Sequence, residues 1–202
     1  MNKQFWHSDI TEKSFQALLD LNKHFDFILI GGWAVYLWTK KMKSKDIDIV
    51  VDFDQLGELQ KKYNLEKNNR LRKYEIKMRE FDVGIYLPHY SKIGFDLEKI
   101  NDHTHNLEGF SVPEIEILLF LKIFAFKQRK NSAKGEKDKI DIISILSSVD
   151  MDWEKFSKIC QQNNFPAGSE LKTLLANTHK IEELGINNNQ MAKLKKSLAE
   201  KI

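Results

Sequence analysis

Asp46 and Asp48 stand two apart in Asp46-Ile47-Asp48-Ile49-Val50-Val51, a run whose alternation and β-branched content predict a strand. Residues two apart on a strand project from one face. The pattern therefore sets two carboxylates side by side and sends Ile47 and Ile49 the other way, into a core. Like charges this close repel unless a cation sits between them, and paired carboxylates suit one or two hard divalent ions, magnesium first and manganese as its substitute. Taken alone, an Asp-x-Asp also describes the wet face of an edge strand, but its surroundings point to chemistry. Upstream, the apolar run Phe25 to Ile30 stops at Gly31-Gly32, and Trp33, Ala34, Tyr36, Leu37 and Trp38 then carry helical periodicity. Strand, glycine turn and helix let a phosphate approach the backbone with no side chain in the way, and amides at the helix start favour the anion. The chain contains neither G-x-x-x-x-G-K-[ST] nor G-x-G-x-x-G, which excludes the phosphate-loop and Rossmann readings.

The elements that must position these residues follow from the same patterns. A helix is predicted from Asp9, with Asp9 and Glu12 at capping-box spacing, to near Phe25. Beyond the Asp-x-Asp strand, Lys73 to Glu80 and Phe81 to Leu87 read as two more strands, and Leu107 to Val112 as a short fifth. Asp52 and Asp54 read as solvating the end of the second strand. Ser111-Val112-Pro113-Glu114 reads as a capped helix start, followed by an apolar helix to about Lys127. A basic loop, Lys130 to Lys137, then precedes a helix over Asp138 to Ser147. The remainder is helical, with loops at Asn163 to Ser169 and Gly185 to Asn189. The expected class is α+β: a small mixed β-sheet flanked by helices over residues 1–110, followed by a helical region over 111–202.

The order strand, Gly-Gly, helix, Asp-x-Asp strand resembles the DNA polymerase beta-like nucleotidyltransferase superfamily. The stretch that carries the resemblance is ILIGGWAVYLWTKKMKSKDIDIVVD, Ile28 to Asp52. GGWAV looks like the antibiotic-modifying branch, and the small size and helical tail look like the minimal and abortive-infection toxin-type branches. Met42 stands where many relatives carry an arginine. The resemblance implies the nucleotidyltransferase fold and transfer of a nucleoside monophosphate from a nucleoside triphosphate to an acceptor hydroxyl. It implies Asp46 and Asp48 as catalytic metal ligands and a third acid, likewise catalytic and a metal ligand, on a neighbouring strand. Asp82 in REFDVGIYLP is the candidate, with Glu80 its competitor on the same face. It further implies that Gly31, Gly32, Ser44 and Lys122 position the nucleotide, since relatives place a lysine near the triphosphate on a helix such as Ile115 to Phe126. For Lys122 itself the residues leave a paired role open. Arg129 lies on the same face, and Asp138 and Asp141 share a helix face that a cap or an ion pair explains equally well.

Composition narrows the rest. The net charge of +3, from 32 basic against 29 acidic residues, is too balanced to mark a nucleic-acid binder by charge alone. Lys41, Lys43 and Lys45 beside the site and the basic loop lean toward an RNA acceptor over a protein or a small molecule. The single cysteine, Cys160, sits in an amphipathic helical pattern as a buried thiol. No stretch reads as a signal peptide or a membrane span, so a cytoplasmic protein without membrane partners is expected. A second reading keeps the fold without the transfer: an inactive, antitoxin-like module that binds nucleotide or docks a protein partner through its C-terminal helices.

Overall fold

The computed structural model describes residues 8–201. The chain falls into two compact units. One comprises residues up to Leu37 with Lys43–Lys92 and Asp96–Pro113, and the other Trp38–Met42, Ile93–Phe95 and everything from Glu114 onward.

The first unit is built on a seven-stranded mixed sheet of β1 (Ile28–Ile30), β2 (Ile47–Val50), β3 (Leu65–Asn68), β4 (Lys73–Lys77), β5 (Asp82–Tyr86), β6 (Thr104–Leu107) and β7 (Phe110–Pro113), in spatial order β3-β4-β5-β2-β1-β7-β6. β2 lies at the centre, antiparallel to β1 and parallel to β5. Its alternation works as the sequence predicts: Ile47 and Ile49 are fully buried, whereas Asp46 and Asp48 are partly exposed. On the buried side Leu29, Val83, Ile85 and Val112 complete the apolar layer. Helix α1 (Ser8–His24) contributes Leu18 and Leu21, and Phe15 packs its ring 5.1 Å from that of Trp33 in α2 (Gly31–Thr39). The buried Trp33 indole N–H donates to the Ser14 hydroxyl at 3.0 Å, which satisfies both groups away from water.

Several local expectations are corrected. Helix α1 runs through Asp9, so this residue lies in its first turn and not ahead of it. Asp52 caps a further helix, α3 (Phe53–Lys62), by accepting the Gln55 N–H at 2.7 Å, and the buried Leu56 and Leu59 anchor that helix. Ser111 caps nothing. It sits inside β7, paired in parallel register with Ile28, because residues 104–113 close as a β6–β7 hairpin before the helix begins.

In the second unit, α4 (Ile115–Arg129) is the central helix. α5 (Ala133–Ser148), α6 (Trp153–Gln162) and α7 (Ala167–Ala176) pack on it, and α8 (Asn188–Leu198) closes the chain with an Asn187–Gln190 capping box. The basic loop before α5 is shorter than predicted. Ser132 caps α5 through the Gly135 N–H at 3.1 Å, and position 135 of the helix takes glycine because a Cβ there would stand 2.2 Å from the Arg129 carbonyl oxygen. Among the described residues, no helix is long and apolar enough to cross a membrane.

Candidate active site

The strand β1 hands over to helix α2 at Gly31, whose φ of +72° lies in the left-handed region that L side chains rarely adopt. Glycine is needed here for a second reason. A Cβ on Gly31 would stand 2.5 Å from Asp48 Oδ2 and 2.9 Å from Asp48 Cβ, because the register places Ile30 opposite Asp48. On the other side of β2, Gly84 lies opposite Asp48, and a Cβ there would stand 2.7 Å from Asp48 Oδ1. The carboxylate of Asp48 thus occupies a cradle between two glycines, Gly31 at the β1–α2 junction and Gly84 in β5. The Tyr86 hydroxyl donates to its Oδ1 at 3.3 Å.

Asp46 precedes the first residue of β2. The Ser44 hydroxyl, itself buried, donates to the Asp46 carbonyl at 3.1 Å and shapes the entry to the strand. Asp46 Oδ1 accepts the backbone N–H of Asp82 at 3.3 Å, so the first and third candidate acids are neighbours across the parallel β2–β5 pair. Glu80, the competitor, lies outside the strand and pairs with Lys13. Gly32 is buried in the first turn of α2; that turn carries no acidic residue of its own, but Asp48 lies against Gly31, so a phosphate at the helix-start amides needs a cation to offset that carboxylate.

Strand β4 supplies what inspection of the sequence overlooked. Lys77 lies opposite Asp82 and Glu75 opposite Gly84, so one face of the sheet carries Asp46 and Asp48, then Asp82, Gly84 and Tyr86, then Lys77, Glu75 and Lys73. Lys77 Nζ is 2.9 Å from Asp82 Oδ2 and 3.0 Å from Glu75, and Lys73 Nζ is 3.0 Å from Glu75. Burial alone raises the Glu75 pKa, but hydrogen bonds from Lys73, Lys77 and Asn68 overcome it and hold the carboxyl down at about 2. The Asp82 and Glu75 carboxylates in turn hold the Lys77 ammonium well above the ordinary lysine range. Lys73 also reaches the cradle, since a Cβ on Gly84 would meet its Nζ at 2.9 Å. The alternation of Lys73, Glu75 and Lys77 was the available signal for this charged face.

The oxygen donors of Asp46 and Asp48 fit a hard divalent cation, and the glycine cradle gives the Asp48 carboxylate its place, with no lysine among the described residues paired to it. The expected three-acid set is not assembled as it stands. Asp82 is held by Lys77, and no group of three or more His, Cys, Asp or Glu side chains among the described residues is positioned to hold a metal. Lys122 also departs from expectation. Its charge is not reserved for a ligand: within the helical unit it is buried, with Nζ 2.6 Å from Asp141 and 3.5 Å from Asp138, while Arg129 grips Asp138 through Nε at 2.7 Å and Nη2 at 3.0 Å. Ion pairing is thus the reading of Asp138 and Asp141 that the geometry supports. Cys160 is part-buried, and burial pushes its thiol pKa up, as suits an inert side chain.

Several solved structures resemble the chain, among them the following two. An antigenic nucleotidyltransferase-like protein from Paracoccidioides brasiliensis matches at 20% identity and a TM-score of 0.48, over 96% of this chain and 92% of that one. JHP933 from Helicobacter pylori matches at 15% identity and a TM-score of 0.43, over 96% and 95%. No curated protein matches the chain. A family model described as "Nucleotidyltransferase of unknown function (DUF6036)" matches residues 9–183, nearly the whole of both units. The chain with the glycine-cradled Asp48 belongs to this family of nucleotidyltransferases of unknown function.

Proposed function

We propose that this protein is a metal-dependent transferase that moves a nucleoside monophosphate from a nucleoside triphosphate to an acceptor hydroxyl. The observation that carries the reading is the cradle: Gly31 at the β1–α2 junction and Gly84 in β5 leave room for the Asp48 carboxylate beside Asp46, next to a helix start able to receive phosphate oxygens. Asp46 and Asp48, with Asp82 as third ligand, would hold magnesium, which when bound would supply charge neutralisation at the triphosphate and at the pyrophosphate that leaves. The backbone at Gly31 and Gly32 receives the phosphates, and Ser44 keeps Asp46 in position. Asp82, once released from Lys77, accepts the acceptor hydroxyl's proton as its oxygen bonds the α-phosphorus and the bond to pyrophosphate breaks. Positioning and electrostatics provide the catalysis. Lys122 is omitted from this account because its charge is already met by carboxylates.

The test is thermal stability and transfer measured together. Nucleoside triphosphate with magnesium raises the melting temperature of the wild-type protein by mass action, and labelled triphosphate is transferred to an acceptor drawn from total RNA, protein or small hydroxyl compounds. Asp48→Asn keeps the fold and loses both effects. Wild-type transfer by both Asp46→Asn and Asp48→Asn defeats the proposal. The hold of Lys77 on Asp82 favours a second reading, a nucleotide-binding module without transfer. That reading predicts the thermal shift with no labelled product on any acceptor.

A further inference from the structure

The third candidate acid is not free to take its place, and one lysine accounts for this. Lys77 sits directly opposite Asp82 in the antiparallel β4–β5 pair, with its ammonium 2.9 Å from Asp82 Oδ2 and 3.0 Å from Glu75. Asp82 is simultaneously tied by its backbone N–H to Asp46 Oδ1 at 3.3 Å, so only its side chain has freedom to choose a partner. On one side it meets the ammonium; on the other stands the Asp46–Asp48 pair, where a divalent cation would recruit it. An ammonium and a divalent cation are alternative counter-charges for the same carboxylate.

Resting on the site proposed above, we infer that Lys77 is a positioning residue that withholds the Asp82 carboxylate from the metal site and thereby sets how tightly the divalent ion binds. Lys77 is suited to this role because its side chain is 44% exposed, free to swing into solvent when the carboxylate leaves. Glu75 remains as its anchor. The buried Lys73–Glu75 pair keeps that anchor ionised, so β4 returns the ammonium to the same place after each exchange. Removing the positive charge has two effects of one sign: Asp82 becomes available as a ligand, and the repulsion between ammonium and divalent ion disappears.

The experiment is manganese binding to the full chain, read as loss of the free-ion electron paramagnetic resonance signal, with no nucleotide present. Lys77→Met, with Lys77→Gln as a second neutral variant, binds manganese about tenfold more tightly than wild type, equivalent to about 1.4 kcal/mol. Lys77→Arg, which keeps the charge, stays near wild type. Adding Asp82→Asn to Lys77→Met removes most of the gain. Thermal melts of each variant report folding. Unchanged or weaker manganese binding in folded Lys77→Met and Lys77→Gln overturns the inference. So does a gain that survives Asp82→Asn, because Lys77 then acts by charge alone and not through Asp82. Asp48→Asn separates this from the parent reading. If it abolishes manganese binding while the Lys77 variants change nothing, the metal site stands and the role of Lys77 falls; if it leaves binding intact, the site itself is misassigned.

Discussion

The two glycines that face Asp48 make a sharp test, because an added methyl at each meets the same carboxylate for different reasons. At Gly31, alanine must hold φ near +72°, which costs about 1–2 kcal/mol, and its Cβ meets both Oδ2 at 2.5 Å and the Asp48 Cβ at 2.9 Å. The Cβ is fixed to the β2 backbone and cannot rotate away, so overpacking adds about 1–3 kcal/mol. At Gly84 φ is not positive, and the methyl meets the mobile ends of Asp48 and Lys73, at 2.7 and 2.9 Å, which yield for about 0.5–1.5 kcal/mol, and the Tyr86 ring at an ordinary contact distance of 3.4 Å. Gly31→Ala should therefore destabilise by about 2–5 kcal/mol and Gly84→Ala by at most about 1.5. For a chain of this size that is a fall in melting temperature of at least about 4 °C for Gly31→Ala. Urea denaturation followed by circular dichroism, repeated in an Asp48→Ala background, completes the double-mutant cycle. In that background Gly84→Ala becomes nearly neutral, while Gly31→Ala retains most of its cost, because its backbone strain and its 2.9 Å contact with the Cβ at position 48 both remain. Equal losses for both glycines, unchanged by Asp48→Ala, would refute the cradle.

Two further outcomes follow. Lys122→Ala should destabilise the protein by about 3–5 kcal/mol in urea titration, because it strands Asp141 as a buried charge, Asp141 Oδ1 already lacking a hydrogen-bond partner among the described residues, while Asp138 keeps Arg129. A near-neutral Lys122→Ala would contradict this. The folded-state pKa of Glu75, lowered from 4.5 to about 2, contributes stability that is present above pH 4.5 and lost as pH falls toward 2, up to about 3 kcal/mol. Acid unfolding of Glu75→Gln should accordingly lack that component between pH 4.5 and 2, and a wild-type acid profile in the variant would show that Glu75 titrates normally.

The places where sequence reading fell short share a cause. Helix α3 is absent from the expected elements although Asp52, Leu56 and Leu59 carry its cap and its stripe, because an aspartate after a strand serves equally well to solvate the strand end as to cap a helix. The Ser111-to-Glu114 signature was sound helix chemistry locally. β7 prevails there because pairing with β1 and β6 satisfies its backbone in the sheet, a gain that no local pattern registers. Lys122 looked anomalous inside an apolar helix, and the anomaly was real; its explanation lay 16 and 19 residues downstream on a different helix.

What the sequence by itself determined was everything that depends on period and on local backbone chemistry. The two-residue spacing of Asp46 and Asp48 put them on one face and Ile47 and Ile49 in the core, and the paired glycines at a strand end announced a junction that a side chain would obstruct. Only the tertiary structure decided which groups meet. The order β4-β5-β2-β1 brings Gly84 against Asp48 and Lys77 against Asp82, and the α4–α5 packing gives Lys122 its carboxylates. Cross-strand and interhelical partners are chosen by register between segments far apart in the chain. The charge state and availability of a carboxylate depend on the atoms within a few ångströms of it, whatever their distance along the sequence.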